Sequence, residues 1–332
     1  MRVVAHAPGR VNVIGDHTDY TGGFVLPMAI DLGTTVVLER GGDAVELSSD
    51  AEEAPARVPL DVADPSAVPG WGRYVAGVVA EVRPPVGGRG TVTTTLPVGA
   101  GLSSSAALEV AVALALGFQG SPLELALACQ RAEQRASGVP CGIMDQLAST
   151  AGVEGSLLRI DCRSLEVVPA PLPADVEVVA VHSGQGRTLA GTAYADRRAG
   201  CEAAEREIGP LRDASLDDVT SLRDEEQRRL ARHVVTENGR VLAFVDALGR
   251  GDLAEAGRLM AESHASLRDD FRVSTPALDR LVDRLTATPG VHGARLTGGG
   301  FGGAVVALCE PGAVADGWRL RPAAGARVLE DG

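Results

Sequence analysis

The chain has 332 residues, 45% hydrophobic and only 3% aromatic, so it can bury a sizeable core built of Ala, Val and Leu, and global disorder is excluded. With 31 basic and 44 acidic residues the formal charge is −13, which argues against a general nucleic-acid or anionic-membrane binder. Every basic side chain is arginine; the absence of lysine removes a Walker A lysine, the protein-kinase strand lysine and Schiff-base chemistry.

From the N-terminus, VVAHAPGRVNVIG reads as a short strand entering a loop. The loop GRVNVIGDHTDYTGG, residues 9–23, packs an arginine, two aspartates, a histidine, a tyrosine and four glycines into one place. Residues 32–39 and VELSSD near residue 47 are β-like, and residues 51–70, with several prolines and acids, read as surface connection. The spacing of Tyr74, Val75, Val78, Val79 and Val82 predicts a helix over 71–82. Residues 91–117 predict a strand, a glycine loop and a long apolar helix. The apolar stretch 110–118, with Glu109 just ahead of it, is too short to span a bilayer. A further helix starts with Ser121 as cap and Pro122 in its first turn, and Gly138 ends it. Residues 156–183 hold three short β-like runs, with a domain boundary near 168–175. Residues 192–285 read as mostly helical, and 294–310 as strand, glycine turn and strand.

Three later segments carry chemistry. PVGAGLSSSAALEVA joins a β run to a helix through glycines and three consecutive serines. Orphan N–H groups, the helix dipole and close glycine backbone make such a junction a phosphate cradle; a serine-rich helix cap is the bland alternative. Neither standard nucleotide-loop spacing fits it. CQRAEQRASGVPCGIMDQLAST offers Glu133 on a helix, as metal ligand or surface acid, and Asp145 among apolar neighbours, as helix cap or functional carboxylate. TGGGFGG, 297–303, sets five glycines between two strands, for a ligand or a tight packed hairpin. The five scattered cysteines form no C-x-x-C pair; their odd number without a signal peptide suggests reduced thiols in a cytoplasm.

Taken together, GRVNVIGDHTDYTGG, LPVGAGLSSSAALEVA, CGIMDQ and RLTGGGFGG resemble the galactokinases of the GHMP small-molecule kinase superfamily. TAYADRRAGCEAA and ARHVVTENGRVL with LMAESHASLRDDF fit as well, so the likeness runs from about residue 5 to residue 308. The resemblance implies an α+β fold of two domains: residues 1–170, like ribosomal protein S5 domain 2, and a ferredoxin-like 171–332, with the active site between them. It implies ATP-dependent phosphorylation of the anomeric hydroxyl of galactose or a galacto-configured sugar. Asp145 and Arg10 would be catalytic, with Asp145 a general base or an orienting anion. Asp16, His17, Asp19, Gly142 and Tyr194 would hold the sugar. Pro97, Gly99, Gly101, Leu102, Ser103, Ser104 and Ser105 would hold ATP, and Ser105 with Glu133 would hold Mg²⁺. Trp71 and Tyr74 fall either near the adenine or in the core.

The chain departs from the family's pattern twice. Asp16 stands where most members have glutamate, which raises a C6-modified or longer sugar as an alternative substrate. Only PGAVADG separates Glu310 from WRLRPAAGARVL, where the family runs a full helix. A reading of another class, a non-catalytic galactose- and ATP-binding sensor, is opposed by the intact GLSSSAA and by Asp145. The expected partner is the sugar alone, with no nucleic acid or membrane, in a monomer.

Overall fold

In the computed structural model, which describes residues 1–97, 99–186 and 190–331 (190–192 and 331 by backbone alone), the chain opens with β1 (Arg2–Asn12). A 3-10 turn at Asp19–Thr21 leads to β2 (Phe24–Val25) and β3 (Pro27–Arg40). There follow β4 (Ala44–Ser49), β5 (Ala56–Pro59), α1 (Gly72–Val82), β6 (Gly88–Thr94), α2 (Ser104–Ala115), α3 (Pro122–Ser137) and α4 (Met144–Ala151). The second half holds β7 (Ser156–Asp161), β8 (Glu166–Pro171), β9 (Glu177–His182) and the helices α5 (Ala190–Ile208), α6 (Leu216–Ser221), α7 (Glu225–Gly249), α8 (Leu253–Asp269) and α9 (Pro276–Thr286). It closes with β10 (Val291–Leu296), β11 (Ala304–Cys309), β12 (Trp318–Leu320) and β13 (Arg327–Asp331).

Local chemistry explains most of these elements. The β-branched run of β3 alternates between buried Val36 and Leu38 and the half-exposed residues Thr35 and Val37, the period of a strand covered on one face. α3 begins in a reciprocal capping box between Ser121 and Glu124, with Pro122 in its first turn, and ends at Gly138 in the left-handed conformation. The first two strands expected from sequence prove longer, because β1 and β3 pair along most of their length. The stretch 51–70 is more than connection: β5 pairs with β4 and buries Ala56 and Val58. Residues 311–317 form a turn rather than a helix.

Among the described residues the strands form three sheets. Six strands run in the order β13-β1-β3-β6-β4-β5, four as β10-β11-β9-β12, and three as β2-β7-β8. The last strand returns to pair with β1, so sheet membership does not divide cleanly at residue 170. One core fills the space between the six-stranded sheet and α1, α2 and α3; another lies between the four-stranded sheet and the C-terminal helices. A third joins the halves, where Val11 and Met28 meet Phe244 and Val306. Among the described residues no helix is long and apolar enough to cross a membrane.

The loop after β1 is held by groups from the far half of the chain. Glu237 of α7, wholly buried, accepts hydrogen bonds from the Gly15 N–H (2.9 Å), the Ser263 hydroxyl (2.6 Å) and Arg240 Nε (2.6 Å). Arg295 of β10, also wholly buried, donates to the Val13 carbonyl at 3.1 Å and places Nη2 2.7 Å from Asp16 Oδ2. His233 Nε2 donates to the Asp16 carbonyl at 3.0 Å, which leaves Nδ1 to accept from Ser266. Burial alone would raise the Glu237 carboxyl, but Arg240, His233 and Arg295 outweigh it and bring it down to about 2.

A depressed carboxyl stabilises the fold at neutral pH and loses that contribution as the pH falls from the ordinary range towards 2. Glu237→Ala leaves Arg240 and Arg295 short of a buried counter-charge. It should cost about 3–5 kcal/mol, read by calorimetry as a lower Tm at pH 7 whose deficit narrows in acid.

Candidate active site

Arg10 lies near the end of β1, where a register shift against β3 turns the chain towards the glycine loop. Its N–H bonds the Leu102 carbonyl at 3.1 Å, and its Nη1 bonds the Gly101 carbonyl at 2.7 Å. The rest of the guanidinium faces Asp145, in the first turn of α4: Nε to Oδ1 is 2.8 Å and Nη2 to Oδ2 is 2.7 Å. This is a bidentate pair of the strong, orienting kind. The Arg10 side chain is 5% exposed and that of Asp145 27%, so the cation is sealed while the anion still faces a cavity. Asp145 caps nothing; the cap position of α4 is Ile143.

The three serines part company. Ser103, at φ 59°, does not cap α2 with its side chain but donates to Asp145 Oδ2 at 2.5 Å. Ser104 is exposed at the first turn of α2. Ser105 donates to Glu133 Oε1 at 2.8 Å, while Gln146 Nε2 holds Glu133 Oε2 at 2.5 Å. Burial, then the charge of Asp145, pushes the Glu133 carboxyl up. Pro97, Gly99 and Gly101 form the loop ahead of α2, with Gly99 and Gly101 both at positive φ; Val98 lies outside the described residues. Leu102 is buried and contributes its carbonyl to the β1 contact.

A cavity of about 310 Å³ opens over the Arg10–Asp145 pair. Its walls include Asp16, His17, Asp19, Gly142 and Tyr194, so all the expected sugar residues meet there, with Glu133 at one side. The placement of Asp19 depends on Gly142: a Cβ there would lie 1.8 Å from Asp19 Oδ2. Burial, then the charges of Asp145 and Asp16, raises the Asp19 carboxyl to about 6. His17, at φ 66°, bonds the Tyr20 hydroxyl through Nδ1 at 2.9 Å and stacks at a tilt on Phe271 and Tyr194. Asp16 turns its oxygens inward, Oδ1 to the Gly298 N–H at 3.0 Å and Oδ2 to Arg295. In the turn 297–303 the glycines at positive φ, Gly298, Gly300, Gly302 and Gly303, shape a backbone whose Gly298 N–H reaches Asp16 and whose Gly298 and Gly299 wall the cavity.

A second cavity, about 250 Å³, is lined by Trp71, Tyr74, Ser104, Ser105, Thr94 and Leu108. Tyr74 lines both cavities, and the Ser105–Glu133 hydrogen bond runs from one to the other. Trp71 and Tyr74 both wall this cavity, and Trp71 also packs against the core between the six-stranded sheet and α1–α3. Sequence reasoning missed Arg295, Glu237 and Gln146. All three sit inside segments quoted above, and the pattern His233, Glu237, Asn238 on one face of a helix is the available signal for Glu237.

Three family models match: a galactokinase galactose-binding signature over residues 1–40, the GHMP kinases N terminal domain over 73–153, and the GHMP kinases C terminal model over 244–320. A galactokinase of Chloroflexus aurantiacus is 43% identical, covering 96% of this chain and 88% of that one. A human galactokinase is 45% identical, covering 92% and 83%. The crystal structure of Lactococcus lactis galactokinase complexed with galactose superposes with a TM-score of 0.91 at 29% identity, over 98% of this chain and 95% of that one. Methanococcus jannaschii mevalonate kinase shares the fold, with a TM-score of 0.69 at 20% identity over 93% and 91%.

Ser103 separates two roles. If its hydroxyl serves Asp145, Ser103→Ala should lower kcat roughly 10- to 100-fold, the worth of a hydrogen bond to a charged group. The KM for nucleotide should stay near wild type. Steady-state kinetics with each substrate varied in turn checks this.

Proposed function

The chain belongs to the galactokinase family of the GHMP kinases, and we propose that it transfers the γ-phosphoryl group of ATP to the anomeric hydroxyl of galactose, with Mg²⁺ as cofactor. The observation that carries this reading is one cavity joining the Arg10–Asp145 pair to Asp16, Asp19, His17, Gly142 and Tyr194. A hexose presents hydroxyls in fixed directions, and buried acceptors at matching positions reject analogues that leave them unpaired.

Phosphoryl transfer asks chiefly for positioning and charge neutralisation. Asp145, oriented by Arg10 and Ser103, accepts the proton of the sugar O1 as that oxygen bonds phosphorus and ADP departs. Arg10 balances charge beside the transferred group. The N–H groups at the start of α2 and the preceding glycine loop hold the triphosphate, and the Trp71–Tyr74 cavity takes the base. Ser105 and Glu133 suit Mg²⁺: a hydroxyl and a carboxylate oxygen 2.8 Å apart are the hard donors it takes beside substrate phosphates. When bound, the ion neutralises phosphate charge. No cluster of three or more His, Cys, Asp or Glu that could hold a metal occurs among the described residues, in keeping with an ion shared with substrate.

The shorter Asp16 is accounted for by Arg295 and the Gly298 N–H, and favours no C6-extended sugar. The intact serine loop and the positioned Asp145 favour catalysis over sensing. Residues 1–170 and 171–332 are read as the two kinase domains, the last strand being lent back to the first. The chain is read as a monomer, and five unpaired cysteines fit a reducing cytoplasm.

An ADP-release assay across galactose, N-acetylgalactosamine, arabinose, glucose and C6-extended hexoses tests the proposal. Galactose should drive Mg²⁺-dependent release, and Asp145→Asn should lower kcat roughly 10²- to 10⁴-fold; release indifferent to sugar would contradict it. Because Asp19 loses its proton near pH 6, kcat/KM for galactose should fall as the pH drops through about 6. Asp19→Asn should remove that limb and weaken galactose binding. It should also raise Tm at pH 7, since a raised carboxyl makes its ionised form a cost to the folded state.

A further inference from the structure

Glu109 has no part in the chemistry described so far, yet it lies wholly buried in the middle of α2. Such a carboxyl needs partners. Its Oε2 lies 3.5 Å from Gln146 Nε2 of α4, and its Oε1 has no hydrogen-bond partner among the described residues. The Gln146 side chain, equally buried, repeats the pattern: Nε2 is engaged and Oε1 is orphaned. The same Nε2 makes the 2.5 Å bond to Glu133 Oε2. Three helices thus bring a carboxyl, an amide and a second carboxyl into one chain that ends at Ser105.

We propose that Glu109 is a positioning residue. As a neutral acid it forms a cyclic pair with the Gln146 amide, O–H to amide oxygen and amide N–H to acid oxygen, and so keeps Nε2 directed at Glu133. One proton on Glu109 Oε1 satisfies both orphaned oxygens at once, since a neutral carboxyl donates and accepts where a carboxylate only accepts. With Oε2 of Glu133 fixed from behind, Oε1 stays with Ser105, on the side where Mg²⁺ is to be held. Burial and the charge of Glu133 both raise the Glu109 carboxyl, in the direction this requires. A negative charge at 109 would repel Glu133 and turn the amide the other way. The inference rests on the proposed Mg²⁺ site at Ser105 and Glu133.

Two substitutions separate neutral pairing from charge. Glutamine at 109 can form the same cyclic pair, amide to amide; leucine cannot. The readouts are the Mg²⁺ concentration giving half-maximal rate and, independent of turnover, calorimetric titration of Mg²⁺ into the ADP-bound enzyme. Glu109→Gln should stay within about twofold of wild type in both. Glu109→Leu should weaken both about tenfold while the KM for galactose holds. Glu109→Gln as damaging as Glu109→Leu, or Glu109→Leu with wild-type metal dependence, would overturn the proposal. If circular dichroism shows that Glu109→Leu does not fold, the glutamine arm still decides. Glu133→Gln with unaltered metal dependence would remove the metal site itself, and with it this inference.

Discussion

The bidentate contact between Arg10 and Asp145 is the joint on which the site turns. One guanidinium ends a strand, grips the glycine loop through the Gly101 carbonyl, and fixes the carboxylate at the start of α4. With Arg10 sealed and Asp145 open only to the cavity, the bidentate geometry leaves the pair little freedom. Ser103 completes the arrangement from the loop side. Three stretches far apart in sequence are thereby brought to one point, with a sugar-sized cavity above it and a second cavity beyond Tyr74. With no lysine in the chain, the positive charge this protein offers its substrates comes from arginine and backbone N–H groups, beside the Mg²⁺ proposed at Ser105 and Glu133.

The C-terminal half of the chain shapes the Asp16 side of the cavity as well as the N-terminal half. Val13, Gly15 and Asp16 are gripped by Arg295 and Glu237, both fully buried, and by His233. The loop that lines the cavity takes its shape from groups more than 200 residues away. Buried charges of this kind are costly unless paired, so they define one arrangement of the two halves rather than many. Asp16 belongs to this scaffold as well as to the cavity wall, and its short side chain is fitted to Arg295.

What could be read from sequence was what local chemistry determines. The capping box at Ser121, the loop-to-helix junction before Ser104 and the glycine turn between β10 and β11 each carry their own signal within a few residues. Arg10, Asp145, Asp19 and Gly142 were legible through their motifs, and they meet in one cavity. What escaped depended on distance. The four residues of β5 are too few for a periodic signal among prolines and acids, and pairing with β4 decides them. The resemblance sets Ser105 beside Glu133, and the structure pairs them; the partner of Ser103, Asp145 from another helix, has no local signal. Arg295 and Glu237 read as ordinary members of arginine- and glutamate-rich segments until their partners, 282 and 222 residues away, are known.

A double-mutant cycle on Arg10→Met and Asp145→Asn, read as kcat for galactose phosphorylation, tests most directly whether this joint acts as one unit. If each residue works through the other, the double variant should be about as slow as the slower single one, with a large coupling energy. Rate losses that simply multiply would show that the two side chains act independently, and would contradict the account.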